Sequence, residues 1–311
     1  MHPALDPLQH VHASTAAFLG STLLVAIDED AAAALADTLL AAGPPPAWDA
    51  SVHFVGAPGD TLQYLLVLDA LNFCFWPDEG LGYRHLAQGL RAALLADPRA
   101  FDAAALAAAT PADIARWFGR PVCLAEERAR LVREVGAALE AWFGGRAERL
   151  VAAADGSAAR LVWLVTAHLP GFRDVAVVDG RQVALLKRAQ IFAADVWGAF
   201  GGSGPGALRD VAALTTFADY RVPQLLRHEG VICYAPELAD DVDALRAIPA
   251  GSAEEVAIRA ATVQAVEQLQ AVLGARGRQL TAVEVDWWLW HAAEARAQAM
   301  APHHRTLTVY Y

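Results

Sequence analysis

The sequence predicts a mainly α-helical chain that forms a single domain with one small β-hairpin. Alanine and leucine dominate the composition, while the strand-favouring residues threonine, tyrosine and isoleucine are sparse. Apolar residues recur with helical spacing in most segments, and only one segment alternates between polar and apolar residues. We find no internal repeat and no linker long enough to divide the chain, so residues 1–311 are expected to form one domain.

The first half of the chain is predicted to be helical. From about Leu8 to Leu40 the apolar residues have helical spacing, and GPPPA at 43–47 ends that segment. A later helix is predicted to begin with Thr110 as its N-cap and Pro111 in its first turn. The same half contains an apolar run, DTLQYLLVLDALNFCFW, and three segments with helical spacing, LGYRHLAQGLRAALLAD, AEERARLVREVGAALEAWF and ERLVAAADGSAARLVWLVTAHL.

The second half contains the predicted hairpin. DVAVVDGRQVALL alternates around Asp179–Gly180, and Asp-Gly between alternating residues is a strong signal for a two-residue hairpin turn. Ser252 and Glu255 have the spacing of a capping box at the start of a long helix. Three further helices are predicted, at KRAQIFAADVWGAF, VPQLLRHEG and TAVEVDWWLWHAAEARAQ.

Composition and charge limit the classes of partner. The 311-residue chain has a formal net charge of −11 and an apolar fraction of 56%, and this apolar fraction excludes intrinsic disorder. Proteins that bind duplex nucleic acid usually present a basic surface, because neutralisation of phosphates supplies most of the affinity. We therefore expect small molecules, and no polymeric nucleic acid, as partners.

The cysteines and the apolar segments predict the compartment. Cys74, Cys123 and Cys233 are far apart in the sequence, which is typical of reduced thiols in a cytosol. The apolar stretch AAFLGSTLLVAI follows no basic residue and is too short to span a bilayer. We expect a soluble cytoplasmic protein with no membrane partner that acts as a monomer.

Common cofactor motifs do not occur in the sequence. There is no Walker loop, no HExxH and no CxxC, and the glycine-rich GGSGPG at 201–206 is interpreted as a linker because no strand precedes it. The ten histidines are scattered, and the adjacent pair His303–His304 is poorly placed to bind one metal ion. We expect neither a metal nor a cofactor.

Four segments mix aromatic and polar residues in a way that core packing alone does not require. Aromatic side chains near carboxylates suit stacking on a planar base with hydrogen bonds to its edges, and a carboxylate can stabilise positive charge that develops on a sugar. The residues alone leave alternatives open: a buried helix end, a solvated helix face, a structural role for Asp219, and core packing of Trp288 and Trp290. The segments are NFCFWPD (72–78), KRAQIFAADVW (187–197), TTFADYRVPQ (215–224) and DWWLWH (286–291).

Several strings of the sequence resemble one protein family. LNFCFWPD, PGFRD, KRAQI followed by D-x-W, LTTFADYRVPQ and PHHRTLTVYY look like the queuosine salvage proteins, and these strings spread from about residue 71 to the C-terminus. Proteins of this family are queuosine 5′-monophosphate N-ribosyl hydrolases. The resemblance implies cleavage of the N-glycosidic bond and release of queuine, a 7-deazaguanine base that is reused in tRNA modification. It also implies a helical fold similar to the helix-hairpin-helix DNA glycosylases, without a metal or cofactor.

The resemblance assigns two catalytic residues by motif position, the carboxylate to Asp219 and an essential lysine to Lys187. Cleavage of the bond passes through an oxocarbenium-like state, which a buried carboxylate can stabilise while it orients the attacking water. A 7-deazapurine lacks N7 and cannot be protonated there, so stabilisation of the sugar cation becomes more important. We expect Lys187 to hold Asp219 ionised, to contact the substrate, or to attack the sugar itself, in that order of preference.

Residue type and membership in these strings predict the rest of the substrate site. Phe73, Phe75 and Trp76 are expected to help form an aromatic wall. Asp195 is expected to bind an edge of the base or the cyclopentenediol amine. The candidates for the phosphate are His303, Arg305, Tyr234 and Arg221. The predicted substrate-binding set is completed by Asn72, Trp197 and Tyr220.

Two other functions compete with this interpretation. One is a glycosylase that acts on a base in polymeric DNA or RNA, although the net charge of −11 argues against it. The other is a non-catalytic protein, such as a queuine or nucleotide carrier or a helical scaffold. Steep salt dependence would indicate the first, and binding without turnover would indicate the second.

Overall fold

A computed structural model describes residues 6–311. The α-helices are α1 (Pro7–Leu19), α2 (Glu29–Ala41), α3 (Pro58–Leu71), α4 (Tyr83–Ala96), α5 (Ala103–Ala107), α6 (Pro111–Phe118), α7 (Ala125–Phe143), α8 (Ala147–Ala153), α9 (Ala158–His168), α10 (Lys187–Ala199), α11 (Arg221–His228), α12 (Pro236–Asp243), α13 (Ala253–Ala275) and α14 (Ala282–Arg296). The strands are β1 (Val25–Ile27), β2 (Val175–Val178), β3 (Arg181–Ala184) and β4 (Ile232–Tyr234). The prediction of a mainly helical fold is therefore confirmed.

The internal contacts of the chain separate into two groups of residues. Group 1 comprises the described part of Met1–Ala47, together with Asp174–Lys187 and Ala212–Leu307. Group 2 comprises Trp48–Arg173, Arg188–Val211 and Thr308–Tyr311. That residues 1–311 behave as one domain stays a prediction.

The long helix α13 forms the centre of group 1. Helices α1, α2, α11 and α14 all contact it, so apolar residues are buried along most of its length. The predicted N-cap is confirmed, since the Ser252 hydroxyl accepts a hydrogen bond of 3.3 Å from the Glu255 amide. The predicted capping box is incomplete, because Glu255 accepts from the Gly251 amide at 3.0 Å and from Arg259 at 3.1 Å instead. The Ser252 amide donates to Pro249.

Group 1 also contains two small antiparallel sheets. The predicted hairpin is formed by β2 and β3, with Val178 opposite Arg181 and positive φ angles of 50° at Asp179 and 75° at Gly180. The second sheet pairs β1 with β4, placing Val25 opposite Tyr234, and was not expected. The segment from Leu8 to Leu40, whose spacing is helical, therefore forms two helices, and β1 separates α1 from α2.

The helix α7 organises group 2. It contacts α3, α5, α6 and α8, and it ends at Gly144, whose positive φ of 54° closes the last turn. The predicted start of α6 is confirmed, with Thr110 and Asp113 forming a complete capping box. Helix α3 is buried along most of its length and ends at Leu71, so the apolar run that follows it is not helical.

The predicted segment ERLVAAADGSAARLVWLVTAHL is divided into α8 and α9. Asp155 and Gly156 have positive φ angles between the two helices. Ser157 then caps α9, and Asp210 accepts hydrogen bonds from the amides at the start of that helix. Among residues 6–311 we find no helix with the length and apolar character needed to cross a membrane.

Candidate active site

Asp219 lies immediately before α11, at the end of a buried segment that runs from residue 214. Its Oδ1 accepts hydrogen bonds from the backbone amides of Arg221 (2.7 Å) and Val222 (2.9 Å). Amides at a helix N-terminus interact favourably with a carboxylate, so the first turn of α11 orients this side chain. Within residues 6–311 no donor contacts Oδ2, which leaves that oxygen available for a further hydrogen bond.

A second carboxylate, Asp286 of α14, holds the segment that precedes Asp219. Its Oδ1 accepts a hydrogen bond of 2.8 Å from the Phe217 amide and another from the Thr216 hydroxyl. Burial raises the pKa of Asp286 to about 7, although those two hydrogen bonds oppose the shift. The charge of Asp219 raises the pKa of Asp286 further and that of Lys187 lowers it, so Asp286 is close to both predicted catalytic residues.

Arg259 of α13 donates to the same segment from another direction. Its Nε donates a hydrogen bond of 2.9 Å to the carbonyl of Ala218, the residue before Asp219. Its two terminal nitrogens donate to the two carboxylate oxygens of Asp174, at 3.0 and 2.6 Å. A further bond of 3.1 Å joins Arg259 to Glu255, and all three charged side chains are buried.

Lys187 is the first residue of α10, and its buried position depends on Asp174. The Lys187 amide donates to Oδ2 of Asp174 at 3.1 Å. The amides of Leu185 and Leu186 donate to the backbone carbonyl of Asp174 at 2.9 and 3.0 Å. These bonds hold Leu186 at a φ of 53°, a conformation that is unfavourable for a leucine.

The structure brings together several of the residues predicted to bind the phosphate. The rings of Tyr220 and His303 are tilted by 31° with centroids 4.6 Å apart, and the guanidinium of Arg221 lies 5.4 Å from the centre of the Tyr220 ring. Burial lowers the pKa of His303 to about 4, and the charges of Arg221 and Arg305 lower it as well. Tyr220, Arg221, His303 and Arg305 therefore form one neighbourhood.

Two of these residues have protein partners that restrict them. The Nδ1 atom of His303 is 2.7 Å from the carbonyl oxygen of His304, so Nδ1 carries the proton of the neutral ring. Arg221 forms an ion pair of 2.5 Å with Glu294. The ring of Tyr234, in contrast, lies 4.8 Å from the guanidinium of Arg227.

In group 2, the predicted aromatic wall is built around Arg128. This buried arginine donates to the carbonyls of Leu71, Phe73, Cys74 and Cys123, at 2.7 to 3.0 Å. Its guanidinium lies 4.2 Å from the centre of the Phe73 ring and 5.7 Å from that of Phe75.

The members of that wall differ in exposure. Phe73 is fully buried, and the guanidinium of Arg188 lies 5.2 Å from the centre of its ring. Trp76 is half-buried and packs beside it, so Trp76 offers more surface to a ligand than Phe73 does. Asn72, which is buried, follows the last residue of α3.

Helix α10 carries the remaining predicted residues of group 2. Asp195 is buried, and its charge adds to burial in raising the pKa of Tyr64 and of Tyr83, so its carboxylate lies near two phenols. Trp197 is half-buried, and its Nε1 lies close to Gly202, where a Cβ atom would be only 3.2 Å away.

Asp286 and Arg259 are functional candidates that the sequence reasoning did not single out. Asp286 shares the buried face of α14 with Ala282 and Leu289, and a carboxylate on an otherwise apolar face is a usable signal. Arg259 follows Glu255 by four residues, which is also the spacing of an ordinary surface ion pair. The local sequence does not distinguish a buried Arg259–Glu255 pair from such a surface pair.

Together, the group 1 residues can support hydrolysis of a bond to a sugar. Asp219 supplies an oriented carboxylate with one available oxygen, and the second carboxylate, Asp286, lies close to both Asp219 and the buried Lys187. Within residues 6–311 no cluster of three or more histidine, cysteine, aspartate or glutamate side chains could hold a metal ion. The residues present suit electrostatic stabilisation and the orientation of water.

Comparison with known proteins agrees with this chemistry. The model of the family described as queuosine salvage protein matches residues 52–311. A protein of Dictyostelium discoideum named queuosine 5′-phosphate N-glycosylase/hydrolase is 47% identical over 81% of this chain and 78% of its own length. Proteins with the same name from Sphaerobacter thermophilus and Bos taurus are 44% and 31% identical, each over 92% of this chain and over 92% and 94% of their own lengths. The chain belongs to the queuosine salvage protein family.

Proposed function

We propose that this chain hydrolyses the N-glycosidic bond of queuosine 5′-phosphate. One water molecule is consumed, the bond between C1′ of the ribose and the base breaks, and the products are queuine and ribose 5-phosphate. The observation that carries the proposal is the orientation of Asp219, whose Oδ1 is held by two backbone amides while Oδ2 stays available. Family membership adds the substrate, since the curated relatives are named for it.

Asp219 is proposed to act on the sugar and on the attacking water. As the bond to the base lengthens, positive charge develops on C1′ and the ring oxygen, and a nearby carboxylate stabilises that charge. The same carboxylate orients the water and accepts its proton. The departing base takes up a proton from solvent, and Asp219 afterwards returns its proton to solvent. Lys187 is proposed to act through its positive charge, which is supported by its effect on the neighbouring Asp286.

Recognition of the nucleotide is assigned by residue chemistry. Trp76 and Phe75 are proposed to pack on the base, and Asp195 to bind its edge or its amine. The phosphate is proposed to bind beside the adjacent rings of Tyr220 and His303, which is supported by the two arginines whose charges lower the pKa of His303. Asn72, Phe73, Trp197 and Tyr234 complete the proposed set.

Further expectations concern the protein's setting. The released base is proposed to return to tRNA modification, and the enzyme is proposed to act in the cytoplasm as a monomer. Light scattering of the purified protein tests the oligomeric state. The helical fold is proposed to be related to the helix-hairpin-helix DNA glycosylases, which superposition on such a structure tests.

The function is tested by incubating the protein with queuosine 5′-phosphate and measuring free queuine by chromatography. Wild-type protein is expected to release queuine, and Asp219→Asn to lose about 100-fold or more in kcat, because an oriented charge is removed. Asparagine can still cap α11, so the variant is expected to fold. Asp210→Asn is a matched control, because Asp210 also caps a helix by accepting from its first amides.

The competing functions predict different results in the same assay. A glycosylase that acts on polymeric nucleic acid would lose affinity steeply as salt is raised, whereas hydrolysis of one nucleotide should change little. A carrier would bind the nucleotide or base without releasing product. Near-normal release of queuine by Asp219→Asn would contradict the proposed role of Asp219.

A further inference from the structure

We infer that Arg259 is a positioning residue that fixes the position of Lys187 relative to Asp219. The inference rests on the proposed function, because it assigns Arg259 a role in the reaction of that same site. Arg259 binds the Ala218 carbonyl and the Asp174 carboxylate, and each of these belongs to a segment that leads to one of the two residues. It acts through the backbone of the segment that carries each of them.

The Nε group of Arg259 holds the backbone immediately before Asp219. Its Nε donates to the Ala218 carbonyl at 2.9 Å, and that carbonyl belongs to the peptide bond between Ala218 and Asp219. Beyond Asp219, the amides of Arg221 and Val222 donate to Oδ1 of Asp219. The backbone is therefore held on both sides of the catalytic carboxylate.

The two terminal nitrogens of Arg259 hold the start of α10 through Asp174. The terminal nitrogens of Arg259 bind both oxygens of Asp174, and one of these oxygens also accepts from the Lys187 amide. The backbone carbonyl of Asp174 accepts from Leu185 and Leu186, which holds the unfavourable φ of 53° at Leu186. One guanidinium thus connects the backbone of Lys187 with that of Asp219.

Stability alone does not account for this arrangement. Arg259, Asp174 and Glu255 are 2%, 3% and 3% exposed, so burying their charges carries a desolvation cost that offsets much of their attraction. The contacts use the flat fork of the guanidinium, which bridges a carboxylate and a carbonyl at the same time, and a lysine cannot reproduce it. The arrangement is therefore better explained by the positions it fixes than by a contribution to the free energy of folding.

The position of the catalytic groups controls the chemical step more than substrate affinity. A displacement of about 1 Å can reduce a rate by about 100-fold, because the reacting atoms must be aligned. We therefore expect Arg259→Lys and Asp174→Asn each to lower kcat by about 10- to 100-fold while KM changes by less than about 3-fold. The double variant should lose little more than either single variant, since both remove the same connection.

The test is single-turnover and steady-state hydrolysis of queuosine 5′-phosphate by the full chain. Arg278→Lys is the matched control, because Arg278 also donates to two backbone carbonyls, those of Leu39 and Gly43, but lies beyond the other end of α13. This control should keep the wild-type kcat. Substrate affinity is measured separately in an Asp219→Asn background, where Arg259→Lys should leave Kd unchanged.

The outcomes separate this inference from the proposed function. If wild-type protein releases no queuine, the proposed function fails. If wild type is active and Asp219→Asn is not, but both Arg259→Lys and Asp174→Asn keep kcat within about 2-fold of wild type, the positioning role is wrong. If Arg259→Lys weakens substrate binding and lowers the unfolding free energy as well as kcat, Arg259 has a merely structural role. Should Arg259→Lys fail to fold, Asp174→Asn decides, because asparagine keeps the shape and one acceptor oxygen.

Discussion

Asp286 of α14 accepts a hydrogen bond of 2.8 Å from the amide of Phe217, two residues before Asp219. The same oxygen accepts from the Thr216 hydroxyl, so a single buried carboxylate holds two consecutive residues of the segment that leads to Asp219. Burial raises the pKa of Asp286 to about 7, which is well above its ordinary value of 3.8. This pair of facts makes the segment sensitive to pH.

The first prediction concerns the stability of Asp286→Asn as a function of pH. Between its unfolded pKa of 3.8 and its folded pKa of about 7, Asp286 is protonated in the native state and ionised in the unfolded state. Its contribution to stability is therefore fully present below 3.8 and is lost as pH rises through about 7. Asparagine does not titrate, so the stability of the variant relative to wild type should rise by up to about 4 kcal/mol over that range.

Urea unfolding of both proteins at a series of pH values measures this difference. Comparison of the two proteins removes the contributions of all other titrating groups, provided that they are unchanged. A difference that is independent of pH across that range would contradict the shifted pKa of Asp286.

A second prediction concerns the hydroxyl of Thr216. Thr216→Val keeps the shape of the side chain but removes the donor to buried Asp286, so the unfolding free energy should fall by about 1–3 kcal/mol. The kcat should fall as well, because the segment that carries Asp219 loses one of its two bonds to Asp286. Thr216→Ser keeps the donor and should stay near wild type in kcat. Equal kcat values for the valine and serine variants would exclude a role for this bond.

The features that could be predicted from the sequence are those with local causes. The capping box at Thr110 and the hairpin turn at Asp179–Gly180 depend on residues within a few positions of each other, and both are confirmed. The sheet formed by β1 and β4 joins residues about two hundred positions apart, so no local sequence pattern predicts it. In isolation, the strand Val25–Ile27 is short enough to be lost within a helical pattern.

The candidate site shows the same division. The position of Asp219 before α11 followed from the sequence of that segment, because the short helix VPQLLRHEG is local. The contribution of Asp286 depends on how α14 packs against the segment before Asp219, which sequence spacing does not reveal. Glu255 was expected to complete a capping box, but the buried Arg259 competes for its carboxylate. Tertiary contacts here override a local preference.

A third prediction separates the roles proposed for Lys187. If the lysine acts through its charge, Lys187→Arg should retain more activity than Lys187→Met, for which kcat should fall by about 100-fold. If the amine attacked C1′, the open-chain sugar would form an imine with it, and borohydride would reduce that imine to a stable amine. Mass spectrometry after borohydride treatment during turnover should detect no such adduct. Detection of an adduct on Lys187 would establish the nucleophilic role instead.

A fourth prediction concerns proton uptake at His303. Its pKa is lowered to about 4, so the ring is neutral at pH 7, and its Nδ1 proton is engaged by the His304 carbonyl. The unprotonated Nε2 of a neutral ring accepts hydrogen bonds, as phosphate oxygens do, so direct binding of phosphate through Nε2 requires a proton. Binding of queuosine 5′-phosphate to Asp219→Asn should therefore take up protons.

Calorimetry in buffers of different ionisation enthalpy measures that uptake. The nucleoside queuosine lacks the phosphate and should cause no uptake, and adding His303→Gln should abolish the uptake seen with the nucleotide. Equal uptake in the presence and absence of His303 would remove it from the phosphate site, leaving Arg221 and Arg305 as candidates.

A fifth prediction concerns Arg128, which organises the segment that carries Trp76. The arginine binds four backbone carbonyls and lies over the Phe73 ring, and it thereby holds Cys74 at a φ of 48°. Lysine can bind some of these carbonyls but lacks the planar fork that reaches all of them. Arg128→Lys should therefore lower the unfolding free energy by about 3 kcal/mol.

The kinetic effect of Arg128→Lys should differ from that of Arg259→Lys. Displacement of the segment 72–76 should weaken its proposed packing on the base, which raises KM, whereas Asp219 keeps its own hydrogen bonds. Arg133→Lys is the matched control, because Arg133 lies on the same helix and, within residues 6–311, binds a single carbonyl, that of Ala109, at 2.8 Å. Steady-state kinetics decide the point. A fall in kcat with unchanged KM in Arg128→Lys would show that this segment contributes to the chemical step and not to binding of the base.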